Sequence, residues 1–475
     1  MAETRRSFTG ISSRTRRRGS VITIPLACAA LLVGASASGA AAATDPETQF
    51  QQHSRNAGAS GFLASLGADP GLFTLRDLII SPRSDRRIAR LLSKRSRRKT
   101  MGRNVAVDVV DVTTGARVWG RRPAKAMLPA SNMKIVTAAN VLRAYGPDHV
   151  FTTQVTAPQA GTVVVRGGGD STLSYSNLEQ LAIETIDNLR AQGLEPGLKP
   201  NGQRAWIKVQ VDNSLFAPPT AAPGWTGSYQ PGIVRPVYAL GVDGRYVWNS
   251  AADAASIFVG YLKQHGYGAK YLGESTATGT QVASLDSLPL SSQVKYMLQV
   301  SENNVAEMLY RLVAVARGHQ ATWAGSRQAA LESLAAMGVP TRKLKLHDGS
   351  GVSRLDRLTA VSLASLLRVI ANSDTDPDLS SIYYGGGLPL AGYTGTLASS
   401  LGRFSSRPSS CARGRIRAKT GTLYDTIALS GLTVGSDGKL KAFSIMVNNR
   451  PYRRYSPLQT RKSVDAMAAT VTGCW

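Results

Sequence analysis

The chain has 475 residues, of which 43% are hydrophobic and 18% are charged, and its formal net charge is +26 at pH 7. This composition is globular and excludes a disordered or collagen-like chain. The length suffices for about two domains with a large core, and the excess of positive charge predicts attraction to anionic partners.

The N-terminus has the pattern of a secretory signal. Six arginines precede an apolar run, Val21 to Gly34, which is followed by small residues. We expect residues 1–43 to be a signal peptide and residues 44–75 a flexible linker. Thr4 to Phe8 resembles a twin-arginine signal, while Arg16 to Arg18 equally suits general secretion, so the route stays open. The mature protein is expected to be extracytoplasmic, in the cell wall or secreted.

A strongly basic stretch follows the linker. Residues 83–103 contain ten Lys or Arg residues and one acid, Asp85. Ile88, Leu91 and Leu92 recur at helical spacing, which predicts an amphipathic helix with its arginines in water. In an exported protein the same surface would meet anionic wall polymers, and the two interpretations carry equal weight. Aromatic residues are absent from this stretch, which disfavours nucleic-acid binding.

A hairpin and then a helix are predicted next. Val105, Val107 and Val109 alternate with other residues up to a turn, which predicts the first strand of the hairpin. A Ser-x-x-Lys pattern occurs four times in the chain, but only Ser131 opens a helix-like run, which ends near Tyr145-Gly146. Ser131 and Lys134 would therefore share one helix face.

The remaining elements suggest a domain interrupted by an insert. Residues 148–275 mix strand-like and helical runs, which predicts an inserted α+β region. Helical patterns resume around Ser301, paired strands are predicted over 423–434 and 440–447, and a final helix over 457–470. The catalytic domain is thus predicted to consist of two segments, 76–147 and 276–475, with the insert, 148–275, between them.

The cysteines and histidines limit the chemistry. Cys28 lies in the predicted signal, which leaves Cys411 and Cys474 in an oxidising compartment, where a disulfide is the simplest pairing and two separate thiols the alternative. The histidines show no His-Glu-x-x-His pattern, which disfavours a zinc peptidase. We expect no metal and no cofactor.

Three short motifs in fixed order carry the chemistry: Ser131 to Lys134, Ser301-Glu302-Asn303 and Lys419-Thr420-Gly421. A serine hydroxyl becomes a nucleophile when a base takes its proton, and a neutral lysine amine can do this without histidine. Burial and a neighbouring cation lower the pKa of an amine, so we predict that Lys419 lowers the pKa of Lys134. The helix N-terminus at Ser131 directs N–H groups toward developing negative charge.

Together the motifs resemble those of the penicillin-recognising serine enzymes, and within them the D-alanyl-D-alanine carboxypeptidase/endopeptidase family, peptidase family S13. The resemblance covers roughly residues 105–475. Further segments that resemble the family are Asp348 to Arg354, Leu388 to Leu397, Gly169-Asp170 and Gly224-Trp225. The chain departs from the family pattern at Glu302, where Asp is usual, and at Ser171, where proline is expected. The short spacing from Ser131 to Ser301 suggests that one of the two inserted domains usual in the family is missing or reduced.

The resemblance implies an α/β (α+β) fold of the penicillin-recognising serine-enzyme type, an antiparallel sheet flanked by helices with a smaller inserted α+β domain. It implies that Ser131 attacks the substrate carbonyl and that Lys134 is the general base. The implied residues for proton relay and orientation are Ser301, Asn303 and Lys419. Those implied to bind the substrate carboxylate region are Thr420, Gly421 and Thr422.

The implied function is an exported D,D-carboxypeptidase that hydrolyses peptidoglycan peptides ending in D-Ala-D-Ala through an acyl-serine intermediate. β-Lactams would be covalent inhibitors. D,D-endopeptidase action is a second possibility, because both reactions cleave after a D-residue. The alternatives are a β-lactamase or esterase on the same scaffold and a non-catalytic protein that binds penicillin and the wall.

Overall fold

The computed structural model describes residues 83–475 except residue 204 and residues 373–376. The predicted signal peptide, 1–43, and the predicted linker, 44–75, lie outside the described residues. The longer helices are α1 (Arg83–Arg95), α2 (Met133–Tyr145), α3 (Tyr175–Ala191), α4 (Ser250–Gln264), α5 (Leu290–Val300), α6 (Asn303–Ala316), α7 (Trp323–Ala336), α8 (Ala360–Ala371) and, after the single turn α9 (Ser380–Tyr383), α10 (Pro457–Val471). The strands are β1 (Asn104–Asp111), β2 (Arg117–Arg121), β3 (Thr152–Gln159), β4 (Thr162–Arg166), β5 (Ile207–Asp212), β6 (Ala269–Glu274), β7 (Thr280–Asp286), β8 (Ile416–Leu423), β9 (Thr426–Val434) and β10 (Leu440–Asn448).

The first sheet joins the two ends of the described chain. Its strand order is β2-β1-β10-β9-β8, and every neighbouring pair is antiparallel. The predicted hairpin is β1 and β2, and the predicted pair of later strands is β9 and β10. β8, which carries the third motif, is the edge strand opposite β2. The outer side of its first half pairs with the segment around Leu390, so an extended peptide can add only to the later half, which contains the third motif.

Helices cover both faces of this sheet because successive side chains of a strand point to opposite faces. Val105, Val107 and Val109 of β1 pack in a core with α1 and α10. Ala106 and Val110 of the same strand pack in a second core with α2 and α8. The fold class predicted from the sequence, an antiparallel sheet flanked by helices, is confirmed.

A second five-stranded sheet has the order β6-β5-β4-β3-β7 and is mixed. β4 pairs with β5, and β5 with β6, in parallel, while β3 is antiparallel to both of its neighbours. Helices α3 and α4 supply the two crossovers and share a separate apolar core with this sheet. β7 belongs to this sheet although it follows residue 275, where the predicted insert ends. The division at 76–147, 148–275 and 276–475 stays a prediction.

The basic stretch forms the predicted amphipathic helix, α1. Ile88 and Leu92 are fully buried while Leu91 is half-buried, and each full burial stabilises the fold by about 2 kcal/mol.

At the other end of the chain a disulfide joins Cys411 to Cys474, with the two Cα atoms 6.0 Å apart. None of the described helices is long and apolar enough to cross a membrane.

Candidate active site

The backbone before α2 sets the position of Ser131. Ala130 adopts a left-handed conformation with φ of 47°, which costs a non-glycine residue about 1–2 kcal/mol. A single 3-10 turn, Ala130–Asn132, then leads into α2, which ends at Gly146 with φ of 82°. Ser131 is half-buried at the helix start, so its hydroxyl remains accessible to a substrate.

The amine of Lys134 lies one turn later and is fully buried. Its Nζ donates to Ser131 Oγ at 3.2 Å, to Asn303 Oδ1 at 2.7 Å and to the carbonyl oxygen of Ser350 at 3.1 Å. All three acceptors are uncharged. The predicted nucleophile and base are therefore in hydrogen-bond contact, as proton transfer requires.

Burial lowers the pKa of Lys134 to about 8, because the charged form loses its hydration. The negative charges of Glu307, Glu302 and Asp348 act in the opposite direction and raise this pKa. The sequence predicts that burial and the neighbouring cation Lys419 both lower this pKa. The structure puts desolvation first, and it is Lys134 whose charge lowers the pKa of Lys419.

The second motif lies at the junction of α5 and α6. Ser301 ends α5 in a left-handed conformation with φ of 65°, and Glu302 then caps α6 by accepting from the N–H of Asn304. Asn303 Nδ2 donates to the carbonyl oxygen of Ile233 at 2.8 Å, which fixes the amide so that its Oδ1 faces Lys134. Among the described residues, Ser301 forms no hydrogen bond with Lys134.

The third motif runs along β8 beside the nucleophile. Asn132 Nδ2 donates to the carbonyl oxygen of Lys419 at 3.1 Å, and a Cβ on Gly421 would lie 2.8 Å from the carbonyl oxygen of Pro129. The strand therefore needs glycine at 421 to approach this closely. Lys419 is fully buried, its Nζ donates to the Thr420 carbonyl oxygen at 3.1 Å, and burial lowers its pKa well below the ordinary value.

The two threonines of this motif differ in their surroundings. Thr420 Oγ1 donates to Thr396 Oγ1 at 2.8 Å, which places the Leu388 to Leu397 segment beside β8. Thr422 is exposed, and its Oγ1 accepts from an Arg461 guanidinium nitrogen at 3.3 Å. The Asn132 side chain, which donates to the backbone of β8, thus joins the first motif to the third. The Lys134 amine joins the first motif to the second.

The family model for the D-Ala-D-Ala carboxypeptidase 3 (S13) family matches residues 88–247 and 231–471. The chain belongs to this family. Carboxypeptidase DacB of Mycolicibacterium smegmatis is 30% identical over 429 residues, which are 86% of this chain and 88% of that protein. A D-alanyl-D-alanine carboxypeptidase of Actinomadura is 28% identical over 456 residues, 77% of this chain and 81% of that protein.

Solved structures agree with the fold. Penicillin binding protein 4 of Haemophilus influenzae superposes with a TM-score of 0.68 and 20% identity, over 80% of this chain and 98% of that one. The family model and these relatives confirm the resemblance to S13, and the chain is a serine-type D-Ala-D-Ala carboxypeptidase, a hydrolase.

A buried acid below Lys134 was not predicted from the sequence. Glu307 of this S13 enzyme is fully buried on α6, one turn after Asn303. Its carboxylate accepts from the N–H of Gly349 at 2.7 Å and from that of Ser350 at 2.9 Å. Burial raises the pKa of Glu307 well above its ordinary value. The available signal was a lone acid in a mostly apolar helical run.

The turn that Glu307 holds is also fixed by Asp348. Its carboxylate accepts from the N–H groups of Gly351 at 2.7 Å and Ser353 at 2.6 Å and from Trp225 Nε1 at 2.9 Å. This turn presents the Ser350 carbonyl oxygen to Lys134. The chain between β5 and α4 thus contributes contacts to the site through Trp225, Ile233 and Tyr246. Of these three residues, the sequence indicated only Trp225, by its resemblance to the family.

Proposed function

We propose that this S13 enzyme is an exported, penicillin-sensitive D,D-carboxypeptidase of peptidoglycan peptides, with D,D-endopeptidase action on cross-links. The observation that carries the proposal is the contact of the Lys134 amine with Ser131 Oγ at 3.2 Å in a site that lowers the lysine pKa to about 8. An amine with this pKa is neutral in a useful fraction of molecules near neutral pH.

In the proposed acylation, neutral Lys134 takes the Ser131 hydroxyl proton while Oγ attacks the carbonyl carbon between the two D-alanines. The backbone N–H groups of Ser131 and Thr422 stabilise the oxyanion, typically by about 3 kcal/mol for each donor. The C–N bond breaks, and the proton passes to the nitrogen of the departing D-alanine. The peptide remains as an ester on Ser131.

In the proposed deacylation, water attacks the ester while Lys134 accepts the proton of the water. The proton then returns to Ser131 Oγ as the C–O bond of the ester breaks, and the peptide leaves as a carboxylic acid, which releases its remaining proton to solvent. Asn303 holds the Lys134 amine through the 2.7 Å hydrogen bond, while Ser301 and Lys419 relay protons and orient the peptide. Thr420 and Thr422 hold the substrate carboxylate.

Penicillin sensitivity is proposed because the lactam amide has the same reacting groups as the D-Ala-D-Ala bond. The penicillin binding protein 4 of Haemophilus influenzae has also been solved in complex with a β-lactam, and it superposes with a TM-score of 0.62 at 22% identity. One covalent adduct per chain, on Ser131, is the expected product.

The test is intact-mass analysis and peptide mapping after benzylpenicillin treatment, with D-alanine release from a D-Ala-D-Ala peptide measured in parallel. Ser131→Ala should lose both reactions. Ser292→Ala is the matched control, because Ser292 begins another Ser-x-x-Lys pattern but is exposed on α5. A stable adduct without peptide cleavage would indicate a non-catalytic penicillin-binding protein. Rapid release of the adduct would indicate a β-lactamase. An adduct on another residue would show that Ser131 is not the nucleophile. A cross-linked dimer as substrate tests the endopeptidase action.

Export is supported by the predicted signal and by the disulfide, since disulfides persist in oxidising compartments. N-terminal sequencing of the chain recovered from the envelope and the medium tests this. Recovery of the uncleaved chain from the cytosol alone would overturn it.

Contact with anionic wall polymers is supported by the charge of α1. Its one acid, Asp85, is buried against Lys441 Nζ, with the carboxylate 3.2 Å away. It therefore does not neutralise the outward face, on which Arg83, Arg86 and Arg87 are exposed. A polyanion is the partner that such a face attracts.

A further inference from the structure

Arg461 of α10 is a cation near the active site that forms no ion pair with a carboxylate of the described residues. One of its terminal nitrogens donates to Thr422 Oγ1 at 3.3 Å, and its Nε is buried without a hydrogen-bond partner among the described residues. The side chain is half-buried, so part of the guanidinium remains open to a ligand.

The acids on α10 and in the turn after β8 are already engaged elsewhere. Asp465, one turn later on α10, accepts from Arg403 through both of its oxygens, with Nε at 2.9 Å. Asp425 is bound by both terminal nitrogens of Arg354, at 2.9 and 2.8 Å. In the described part of the chain, Arg461 forms no ion pair.

The other nearby charges are mostly positive. Burial is the main cause that lowers the pKa of Arg461; the charges of Arg403 and Arg450 lower it too, while Asp465 raises it. Lys419, on the same strand as Thr422, is buried and donates to a carbonyl oxygen rather than to a carboxylate. This end of β8 therefore has an excess of positive charge, which a bound anion would compensate.

The position of Thr422 connects this charge to the reaction. Gly421 lies against the backbone of Pro129, two residues before Ser131, and Thr422 is the next residue along β8. A peptide attached at Ser131 and extended along β8 would bring its leaving residue to Thr422. The anion on that residue is its α-carboxylate, and a guanidinium has planar geometry suited to it.

We propose that Arg461, together with Thr422, binds the α-carboxylate of the leaving D-residue and so selects substrates in which this group is free. The proposal rests on the proposed function, because it names the group that recognises one end of that substrate. Arg461 is a specificity-determining residue here and takes no part in proton transfer.

The test compares two peptides that differ only at the C-terminus, one ending in D-alanine and one in D-alaninamide. For Arg461→Gln we expect KM for the free acid to rise about tenfold to a hundredfold, as for loss of a charged hydrogen bond, with kcat nearly unchanged. KM for the amide should stay the same. Arg461→Lys should restore part of the preference because it keeps the charge.

Lys462→Gln is the matched control, since Lys462 is the neighbouring exposed cation of α10 and its loss changes the net charge equally. It should leave the preference for the free acid intact. Equal losses for both peptides in Arg461→Gln, or an unchanged preference, would overturn the assignment. Unchanged thermal unfolding of the variants establishes that they are folded.

A second readout separates this inference from the proposed function. The rate of Ser131 acylation is measured with benzylpenicillin and with its methyl ester, which lacks the free carboxylate. Arg461→Gln should lower the rate of acylation by benzylpenicillin and leave the rate of acylation by its methyl ester unchanged. If the wild-type chain is acylated but cleaves no peptide, the proposed function fails while this rate ratio still decides the role of Arg461.

Discussion

The two walls of the active site carry opposite charge. The α6 wall, formed by α6 and the turn that contains Asp348, holds Lys134 among the negative charges of Glu302, Glu307 and Asp348. The β8 wall, formed by β8 and α10, holds Lys419 near Lys134 and Arg403, and Arg461 beside Thr422. The acids of the α6 wall balance the positive charge of Lys134. In the proposed binding mode, the positive charge of the β8 wall is balanced by the carboxylate of the substrate.

The difference has consequences for the two buried lysines. Acids near Lys134 offset part of its desolvation, so its pKa falls only to about 8. Burial lowers the pKa of Lys419 well below its ordinary value, and its neighbours Lys134 and Arg403 are cationic and act in the same direction. A bound carboxylate would favour the charged form of Lys419, so substrate binding and the charge of this wall are coupled.

The largest expected effect is that of Lys134→Ala on the α6 wall. Loss of a general base reduces acylation by about 10²- to 10⁴-fold, while alanine preserves the helix. Stopped-flow acylation by benzylpenicillin measures the change. Lys295→Ala is the control, because Lys295 ends another Ser-x-x-Lys pattern but is exposed. Near wild-type acylation in Lys134→Ala would show that Lys134, the amine held by the α6 wall, is not the base.

The pH dependence should report the Lys134 amine. Because the protonated amine is inactive as a base and its pKa is lowered to about 8, acylation should rise about tenfold for each pH unit below this value and level off above it. A rate constant that is flat between pH 6 and 8 would contradict this.

Glu307→Gln should have a smaller effect of two kinds. The amide nitrogen cannot accept from the N–H groups of Gly349 and Ser350, so the Ser350 carbonyl is less well held and kcat should fall about tenfold. The Glu307 charge raises the pKa of Lys134 against the effect of burial. Removal of this charge should therefore move the acid limb of the pH–rate profile for acylation to lower pH. The other charges that face Lys134 are Glu302, Asp348 and Lys419, and they remain.

Glu332→Gln is the matched control for this variant, because Glu332 lies on α7 and pairs with His319 away from Lys134. If kcat falls but the acid limb of the pH–rate profile does not move, Glu307 has only a structural role. A limb that moves to higher pH would contradict the sign of the interaction.

Removing the disulfide should affect stability and leave the reaction intact. Cys411→Ser with Cys474→Ser opens a connection across 63 residues, which lowers the free energy of unfolding by about 4 kcal/mol in the chain-entropy model. Urea unfolding measures this, and reduced wild-type protein should match the variant. Equal stability of oxidised and reduced protein would contradict it.

The smallest effect on the reaction is expected from α1. Replacing four exposed arginines with glutamine should lower retention on isolated cell walls at low salt, because screened attraction weakens with ionic strength. These residues are Arg83, Arg86, Arg87 and Arg90. The control replaces four exposed cations elsewhere: Arg317, Arg342, Lys343 and Lys345. If both variants and the wild type are retained equally, α1 does not bind the wall and is only a solvated amphipathic helix. Hydrolysis of a short soluble peptide should not change.

The local elements were predictable from the sequence because their signals are local. The run after Ser131 has helical periodicity and ends at Gly146, as α2 does. The order of the three motifs was sufficient to identify the family. With Cys28 in the predicted signal, only one cysteine pairing was left. Strands β3, β6 and β7 escaped prediction because their alternation is weak, and the partners of β6 and β7 are also distant in the chain.

The nucleophile, the base and the family could be read from the amino-acid order, since they depend on residue types at fixed short spacings. Their surroundings required the folded chain. The contacts of Glu307 with the Gly349 turn and of Arg461 with Thr422 join segments that are 42 and 39 residues apart. The pKa of Lys134 likewise depends on burial by other elements, because desolvation is a property of the whole packed site and not of the Ser131 to Lys134 spacing.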